Sequence, residues 1–273
     1  VDDNFIGNKQ QLKREVLPAL IAWRQGKTGL AFSTELSINL ADDEELMTMM
    51  FDAGFTTVFV GIETPDDDSL AECSKLQNRG RDLVESVRRM QRAGMQVQGG
   101  FIVGFDSDTP SIFQRQIEFI QKSGIVSAMV GLLQALPGTR LYHRLANEGR
   151  LTSEGSGDNV DGSTNIVPKM DLDILRQGYK SILDQIYSPK LYYERITTFL
   201  REYKPSKLRG YLDPQYLLAL WRSIYQLGIK GAERVYYWKL WLWTLLHKPR
   251  LFPQAIELAI YGYHFRRVCE LNA

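Results

Sequence analysis

The stretch Gln98-Gly-Gly-Phe-Ile-Val-Gly-Phe-Asp-Ser-Asp-Thr-Pro110 decides the fold of this chain. Its apolar run, residues 101–103, is bounded by glycines, a pattern typical of a strand that is buried on both faces. Gly104 then allows the backbone to turn sharply, or a ligand to approach it closely. The sequence therefore predicts a buried strand followed by a glycine turn that is either functional or purely structural.

The residues after this turn predict a polar loop that leads into a helix. Asp106 and Asp108 are loop residues, and Asp108 or Thr109 is expected to cap a helix whose first residue is Pro110. A buried strand, a glycine turn and a polar loop before a helix are together typical of the functional edge of a parallel α/β sheet or barrel.

The alternation of strand and helix recurs on both sides of this stretch. Val1 reads as the last residue of one strand, and further strands are predicted at residues 30–38, 57–63, 95–104 and 125–133. Helices are predicted between them, and Pro18 is expected to kink or split the helix over residues 9–25. This alternation indicates parallel βα units with right-handed connections. Because a closed barrel needs more than five strands, we expect a truncated barrel whose missing strands precede residue 1.

Beyond residue 168 the chain changes character. Residues 149–162 are rich in Gly, Ser, Asp and Asn, which predicts a linker or loop. Only helices are predicted after it, at residues 172–186, 191–203, 214–227, 232–247 and 253–268. We therefore predict an α/β fold, with a partial TIM-like βα barrel of parallel strands over residues 1–150, a linker over 151–168 and an all-helical C-terminal domain over 169–273.

The composition excludes several classes of protein. The 273 residues are 44% hydrophobic and 24% charged, as in an ordinary globular protein, and a net charge of +1 gives no case for nucleic acid as a partner. Cys73 and Cys269 are too far apart to indicate a disulfide framework or a Cys-based metal site, and unpaired thiols suit the cytoplasm. From Arg201 onward, 12 Lys/Arg face 5 Asp/Glu, so the C-terminal helices carry a basic excess of +7.

Polar side chains fall where the predicted strands end, which is where parallel barrels hold their ligands. Glu63 follows the apolar run 58–62, so it must lie near the core and needs a hydrogen-bond donor. An internal salt bridge or a loop cap is the alternative to a binding role for it. Carboxylates, amides and carbonyls suit a ligand with ammonium, hydroxyl and amino groups, and no nucleophile–base pair is evident. The polar residues at the strand ends are Asp2, Asp3, Asn4, Thr34, Glu35, Glu63, Thr64, Asp106, Asp108 and Gln134.

Four motifs together resemble those of radical S-adenosylmethionine enzymes. They are Val-Asp-Asp-Asn-Phe at 1–5, Val-Gly-Ile-Glu-Thr at 60–64, Gly-Gly-Phe-Ile-Val-Gly-Phe-Asp-Ser-Asp-Thr at 99–109 and Leu-Pro-Gly-Thr at 136–139. Their order and spacing are similar to those of the class with an N-terminal cobalamin-binding domain, over about residues 1–150. Asn-Ile-Val-Pro-Lys-Met at 165–170 and the helices after it resemble the C-terminal extension of part of that class, including some lipid-modifying methyltransferases.

The resemblance implies that S-adenosylmethionine binds at the strand ends. Residues 2–4 would lie near its methionine amino group, Glu63 would belong to the strand that contacts the ribose, and Ile102 and Gly104 would flank the adenine. The implied chemistry is reductive cleavage by an iron–sulfur (4Fe-4S) cluster, which gives a 5′-deoxyadenosyl radical that the protein orients and shields. The cofactor-binding residues so predicted are Asp2, Asp3, Asn4, Glu35, Glu63, Ile102, Gly104, Leu136, Pro137 and Gly138.

The chain departs from this class at one decisive point, because it has no C-x-x-x-C-x-x-C loop. A cuboidal cluster requires thiolate ligands, and Cys73 and Cys269 cannot replace three closely spaced cysteines. The loop and the cobalamin-binding domain are both expected N-terminal to Val1 in the same protein. We therefore expect an inactive C-terminal fragment of a cobalamin-dependent methyltransferase, or a related C–H-functionalising enzyme, that acts on a small molecule or a lipid.

The helical region leaves other interpretations open. Residues 235–246 are apolar nearly all round the helix, which is typical of a buried helix. Four of five Trp and eight of 13 Tyr lie beyond residue 200, and such aromatics with a basic excess also suit a peripheral membrane contact. A non-catalytic interaction module is therefore one alternative. Another is an unrelated barrel lyase that binds phosphate through Gly99, Gly100 and Gly104.

Overall fold

The computed structural model describes residues 4–27, 29–153, 155, 161–204 and 214–272, and its centre is a four-stranded parallel sheet. The strands follow one another across the sheet in chain order: β1 (Phe32–Leu36), β2 (Phe55–Glu63), β3 (Gln96–Val103) and β4 (Ala128–Leu132). The parallel α/β fold and these four strands confirm the prediction from the sequence. The further strand predicted to end at Val1 lies outside the described residues.

Helices connect the strands as βα units require, and acidic side chains cap several of them. Asp43, Asp66 and Asp82 each accept a hydrogen bond from a backbone N–H in the first turn of the following helix. Gly54 ends one helix in the left-handed conformation, as the sequence predicts. These helices are α1 (Lys9–Gln11), α2 (Leu17–Arg24), α3 (Glu44–Ala53), α4 (Asp67–Glu72), α5 (Leu83–Arg92), α6 (Ser111–Ser123) and α7 (Arg140–Asn147).

The helix over residues 9–25 is split by a π-helical turn at Leu12–Val16, directly before α2, whose second residue is Pro18, as predicted. The predicted cap of α6 needs correction. Pro110 precedes α6, and neither Asp108 nor Thr109 caps that helix. The Asp108 carboxylate turns back toward the end of β3 instead, because the backbone N–H groups of Gly104 and Phe105 need an acceptor there.

The two faces of the sheet differ in composition. Val60, Phe101 and Val103 are buried on the face that the helices cover, and the Phe101 ring meets Phe119 of α6. The opposite face, called here the open face, carries glycines and half-buried side chains of β2 and β3. Ile102 on this face is only half-buried, so the prediction that residues 101–103 are buried on both faces is wrong for that side chain.

The C-terminal part is helical, as predicted. Its helices are α8 (Leu172–Ile186), α9 (Pro189–Glu202), α10 (Pro214–Ser223), α11 (Arg234–His247) and α12 (Phe252–Asn272), with a π-helical segment at Ile224–Lys230. Helix α8 packs on α6 and β4, while α9 crosses near the amino ends of the strands. There Arg195 donates to the Val126 carbonyl (3.2 Å), and Gln254 of α12 donates to Gln96 at the start of β3 (2.9 Å). The bundle of α9 to α12 therefore lies at the amino ends of the strands, away from the edge where the strands finish.

The predicted linker is tied to the sheet at both described ends. Leu151 and Ile166 form an antiparallel bridge, and Ile166 is buried in a small core with Phe105 and Leu133. Residues 154 and 156–160 lie outside the described part. One larger core contains residues from both the sheet and the C-terminal helices, and the division into three segments stays a prediction.

Helix α11 corrects the prediction of a helix buried on all sides. Tyr237, Leu240 and Thr244 are buried against neighbouring helices, whereas Leu242 and Leu246 are 63% and 70% exposed. Among the described residues, neighbouring helices thus cover one side of this apolar helix and leave the other exposed. Within the described ranges, no helix is long and apolar enough to cross a bilayer.

Candidate functional site

The carboxyl ends of the four strands meet at one edge of the sheet, called here the exit edge. The register pairs Leu36 with Val60 and Val103 with Leu132, so the strands finish side by side. Glu63 ends β2 and Gly104 follows β3 at this edge. Glu63 and the loop that carries Asp106 and Asp108 therefore lie at the same edge of the sheet, as the sequence predicts.

The segment before α1 is bonded to the end of β1, the edge strand. The Asn4 amide oxygen accepts from the Ser37 backbone N–H (3.1 Å), and the Phe5 N–H donates to the Glu35 carbonyl (2.9 Å). Asn4 therefore lies at the exit edge, and the exposed side chain of Glu35 stands one residue before the end of β1. Asp2 and Asp3 lie outside the described residues.

Glu63 has an unusual backbone and one strong partner. Its φ of 65° is in the left-handed region, which a non-glycine residue adopts at a cost, and the register of β2 with β3 shifts beside it. Its carboxylate, 14% exposed, forms an ion pair of 2.9 Å with Lys75. The prediction that Glu63 needs a donor is confirmed, and the internal salt bridge considered as its alternative role is present.

Two glycines on the open face leave room for the side chains beside this ion pair. A Cβ on Gly61 would lie 2.6 Å from the Glu63 carboxylate, and one on Gly100 would lie 2.9 Å from the Phe59 ring. The two glycines are paired across β2 and β3, so two adjacent positions of the sheet carry no side chain of their own. Only a residue without a side chain permits Glu63 and Phe59 to lie flat on the sheet here.

The turn after β3 is held by the Asp108 carboxylate. It accepts from the N–H groups of Gly104 (2.8 Å) and Phe105 (3.1 Å) and from the Ser69 hydroxyl (2.9 Å). Burial nevertheless raises the pKa of Asp108, because desolvation outweighs these donors. Gly104, with φ of 108°, is thereby fixed in a conformation that favours glycine.

A second aspartate in the same loop joins several elements. The Asp106 carboxylate, 8% exposed, binds Arg150 (2.6 Å) and Arg144 (2.9 Å), and Arg144 also binds Glu72 of α4 (2.7 Å). Hydrogen bonding from Arg150 holds the pKa of Asp106 below its ordinary value. This network ties the β3 loop to α4, to α7 and to the chain after α7.

The loop after β4 is held by an asparagine from the predicted linker. The buried Asn165 amide accepts from the Ala135 N–H (2.8 Å) and donates to the Ala135 carbonyl (2.8 Å). Leu136, Pro137 and Gly138 follow as an exposed turn at the exit edge. The two hydrogen bonds of Asn165 to Ala135 therefore fix the start of this turn, and Asn165 is the first residue of the motif at 165–170.

Gln116 of α6 supports the ends of two strands from the helix-covered side. Its amide nitrogen donates to the Ile102 carbonyl (2.8 Å) and, at 3.4 Å, to that of Glu63. Ile102 and Glu63 are thus fixed through one side chain. Their side chains remain on the open face.

The residues of this chain do not fit an iron–sulfur cluster. Cys73 ends α4 near the exit edge, whereas Cys269 lies on α12 in the bundle at the amino ends of the strands. Burial raises the pKa of the Cys73 thiol, which disfavours the thiolate that a cluster requires. In the described part of the chain, no group of three or more His, Cys, Asp or Glu side chains could hold a metal ion.

Sequence reasoning missed the residues that hold the exit edge in place. Lys75 follows a short helix and carries no pattern that links it to Glu63, and Gln116 reads as an ordinary polar position of a helix. Asn165 stands out in the sequence only as part of a motif, although a buried polar residue in a loop rich in Gly and Ser is a usable signal. Pairwise contacts of this kind depend on tertiary packing, which spacing alone does not give.

The chain is similar in sequence to known methyltransferases. It is 36% identical over 281 residues to an uncharacterized methyltransferase of Synechocystis sp., covering 99% of this chain and 51% of that protein. It is 33% identical over 256 residues to the hopanoid C-2 methylase of Rhodopseudomonas palustris, covering 90% of this chain and 47% of that protein. The chain therefore spans about half the length of the curated relatives it matches.

Two further similarities concern the helical part and the fold. Residues 139–273 match a protein family described as a domain of unknown function, DUF4070. The solved radical S-adenosylmethionine methyltransferase TsrM from Kitasatospora setae, with cobalamin and a 4Fe-4S cluster bound, aligns with 97% of this chain and 51% of its own, at a TM-score of 0.47 and 15% identity. That structural likeness is too slight to carry an argument.

Proposed function

We propose that the chain is part of a radical S-adenosylmethionine enzyme of the cobalamin-binding class and that its exit edge binds S-adenosylmethionine for a methyl transfer, which its similarity to curated methyltransferases supports. The observation that carries the proposal is the pair of glycines Gly61 and Gly100, which let the Glu63 carboxylate and the Phe59 ring lie close against the sheet side by side. A flat nucleoside needs a flat apolar surface, which the Phe59 ring provides, and its ribose hydroxyls need an acceptor, which the Glu63 carboxylate provides. The open face offers both within two adjacent strands.

The residues at the exit edge fit the polar groups of this cofactor. Asn4 supplies an amide near the end of β1 for the methionine amino group, and Glu63 supplies a carboxylate for the ribose. Ile102 on the open face and the turn at Gly104 would bracket the adenine, with Leu136 to Gly138 alongside. Asp2, Asp3 and Glu35 complete the proposed set.

Bound S-adenosylmethionine supplies either a methyl group or a 5′-deoxyadenosyl radical, and that chemistry is its own. The described side chains bind and orient it. Asp108 and Gln116 hold the backbone at the ends of β2 and β3, and Asn165 holds the loop after β4. The cluster and cobalamin are proposed to be held by residues outside this chain, because the two cysteines do not fit a cluster.

The phosphate-binding lyase is not favoured by the contacts of its three glycines. The Gly104 N–H already donates to a carboxylate, whose negative charge would repel phosphate. The Gly99 N–H donates to the Ser127 carbonyl, and Gly99 and Gly100 both lie inside the ladder of β3. These groups do not form a phosphate cradle.

Calorimetric titration of S-adenosylmethionine into the protein tests the proposal. Glu63→Gln keeps the shape of the side chain and removes its charge, so the dissociation constant is expected to rise roughly tenfold, the loss of one hydrogen bond to a charged group. Glu85→Gln is the matched control, because Glu85 pairs with Arg92 on α5 and lies outside the proposed set. Equal affinities of the wild type and Glu63→Gln would contradict the proposal, as would thermal protection by phosphate but not by S-adenosylmethionine.

A further inference from the structure

The helices at the amino ends of the strands expose a continuous apolar surface, called here the aromatic surface. Its residues lie on α10, the π-helical segment and α11, and each has a largely exposed side chain, with Trp221 at 69%. Such a surface is larger than the scattered apolar residues of an ordinary exterior. The residues of the aromatic surface are Tyr216, Leu217, Leu218, Trp221, Tyr225, Ile229, Val235, Trp238, Leu242, Leu245 and Leu246.

The spacing places the residues of α11 on one side of that helix, whereas Tyr216, Leu217 and Leu218 are consecutive and spread around the start of α10. Trp221 and Tyr225 are four residues apart near the junction of α10 with the π-helical segment, and Trp238 and Leu242 repeat the spacing on α11. The two helices are joined side by side, because the Trp238 indole N–H donates to the Gly228 carbonyl (3.0 Å). Their exposed sides therefore adjoin as one surface.

The aromatic surface lies away from the exit edge. Helix α9 runs near the amino ends of the strands, and α11 and α12 pack against it. A ligand on the aromatic surface is thus separated from Glu63 and Gly104 by the sheet and by α9. The aromatic surface is therefore separate from the site proposed above.

The segment that carries the aromatic surface has mainly positive charges, whereas Glu257 on the adjoining α12 is exposed. Residues 214–250 contain six Lys/Arg and one Asp/Glu. The single acid, Glu233, is buried and paired with Arg266 of α12, so it contributes no negative charge to the exterior. The exposed cations nearby are Arg222, Lys230, Arg234, Lys239 and Arg250.

We propose that the aromatic surface docks on an anionic lipid bilayer. Trp and Tyr prefer the boundary between headgroups and acyl chains, and Lys and Arg beside them are attracted to anionic headgroups. A second copy of this chain is disfavoured as the occupant, because it would bring the same cations face to face. Docking is peripheral, since none of the described helices could span a bilayer.

Sedimentation of the protein with lipid vesicles tests this proposal. Vesicles of phosphatidylcholine and phosphatidylglycerol in equal parts are expected to bind it, and vesicles of phosphatidylcholine alone are expected to bind it far less. Trp221→Ser combined with Leu246→Ser should weaken binding by on the order of tenfold, because apolar area is lost from the interface. Trp23→Ser is the matched control, since Trp23 is an exposed tryptophan on α2, outside the aromatic surface.

A second pair of variants tests the charge. Lys239→Glu should weaken binding to the anionic vesicles by at least about five-fold, whereas Lys180→Glu, on the exposed side of α8, should not. All the substituted positions are exposed, so the fold is expected to survive, which circular dichroism checks. Vesicle binding that is unchanged by these substitutions would overturn the proposal. So would sedimentation velocity that shows a dimer dissociated by the Trp221 and Leu246 substitutions.

Discussion

At the scale of single residues, two aspartates in one loop show how position overrides residue type. The sequence predicts that Asp108 caps a helix, yet its carboxylate accepts hydrogen bonds from the backbone N–H groups of Gly104 and Phe105 in the preceding turn. Asp106, two residues earlier, is paired with Arg150 and Arg144. Burial raises the pKa of Asp108, and hydrogen bonding from Arg150 lowers that of Asp106. The pKa values of two identical side chains therefore shift in opposite directions.

The Asp106 network predicts a pH dependence of stability. Because its pKa is lower in the folded than in the unfolded protein, the ionised Asp106 stabilises the fold above the ordinary value of 3.8. That stabilisation is lost as the pH falls through the folded pKa. Asp106→Asn should lower the free energy of unfolding by about 2 kcal/mol at pH 7 and by less at acid pH. Urea denaturation at a series of pH values measures this.

A matched carboxylate provides the control for that experiment. Glu118 pairs with Lys122 on the outside of α6, and both side chains are more than half exposed. Glu118→Gln should change the free energy of unfolding by less than about 0.5 kcal/mol at any pH. If the free energy of unfolding of Asp106→Asn and Glu118→Gln depended on pH in the same way, the Asp106 network would not be the cause.

At the scale of elements, the sequence predicts what local chemistry determines. Four strands are found near their predicted positions, and Asp43 and Asp82 cap the helices that they precede. The predictions that are wrong concern how helices pack against one another. The same apolar pattern that suggests a fully buried α11 is compatible with one covered side, and only the neighbouring helices decide between them.

The pairing of α6 with α8 gives a prediction at this scale. Gly178 is a buried residue inside α8, and a Cβ there would lie 2.2 Å from the Phe113 ring of α6. Alanine is a better helix former by about 1 kcal/mol, but overpacking a core costs about 1–3 kcal/mol. Gly178→Ala should therefore destabilise the protein by roughly 1–2 kcal/mol in a denaturant titration.

A double-mutant cycle separates the two effects. In a Phe113→Leu background the ring that the added methyl group would meet is gone, so Gly178→Ala should become neutral or stabilising. The close approach of the two helices would then be the cause of the glycine requirement. An equal loss of stability in both backgrounds would argue against that cause.

At the scale of the whole molecule, the sheet and the C-terminal helices share one core. Arg195 of α9 is fully buried, donates to Gln121 of α6 and to the Val126 carbonyl, and lies over the Tyr192 ring. Gly124, in the turn between α6 and β4, lies so near α9 that a Cβ there would be 3.1 Å from the Phe199 backbone nitrogen. These contacts join parts of the chain that the sequence presents as separate, and they predict that both parts unfold together.

The Gly124 contact allows that prediction to be tested. Gly124 has a φ of 72°, and a Cβ there would lie 3.1 Å from the Phe199 backbone nitrogen. Gly149 has a φ of 68° but no atom within 4 Å of such a Cβ, so Gly149→Ala measures the backbone strain alone, about 1 kcal/mol. Gly124→Ala should cost roughly 1–2 kcal/mol more, because buried helix backbone cannot move aside easily.

Two probes then report on the two parts of the molecule. Four of the five tryptophans lie on α10 and α11, so fluorescence follows the helices, while amide exchange of β3 follows the sheet. In urea both probes should give the same midpoint, and Gly124→Ala should shift both by the same amount. If the fluorescence midpoint moved while exchange in β3 stayed unchanged, the helices would be a separately folding unit. The shared core favours the single transition, because Arg195 of α9 bonds just before β4 and Gln254 of α12 bonds at the start of β3.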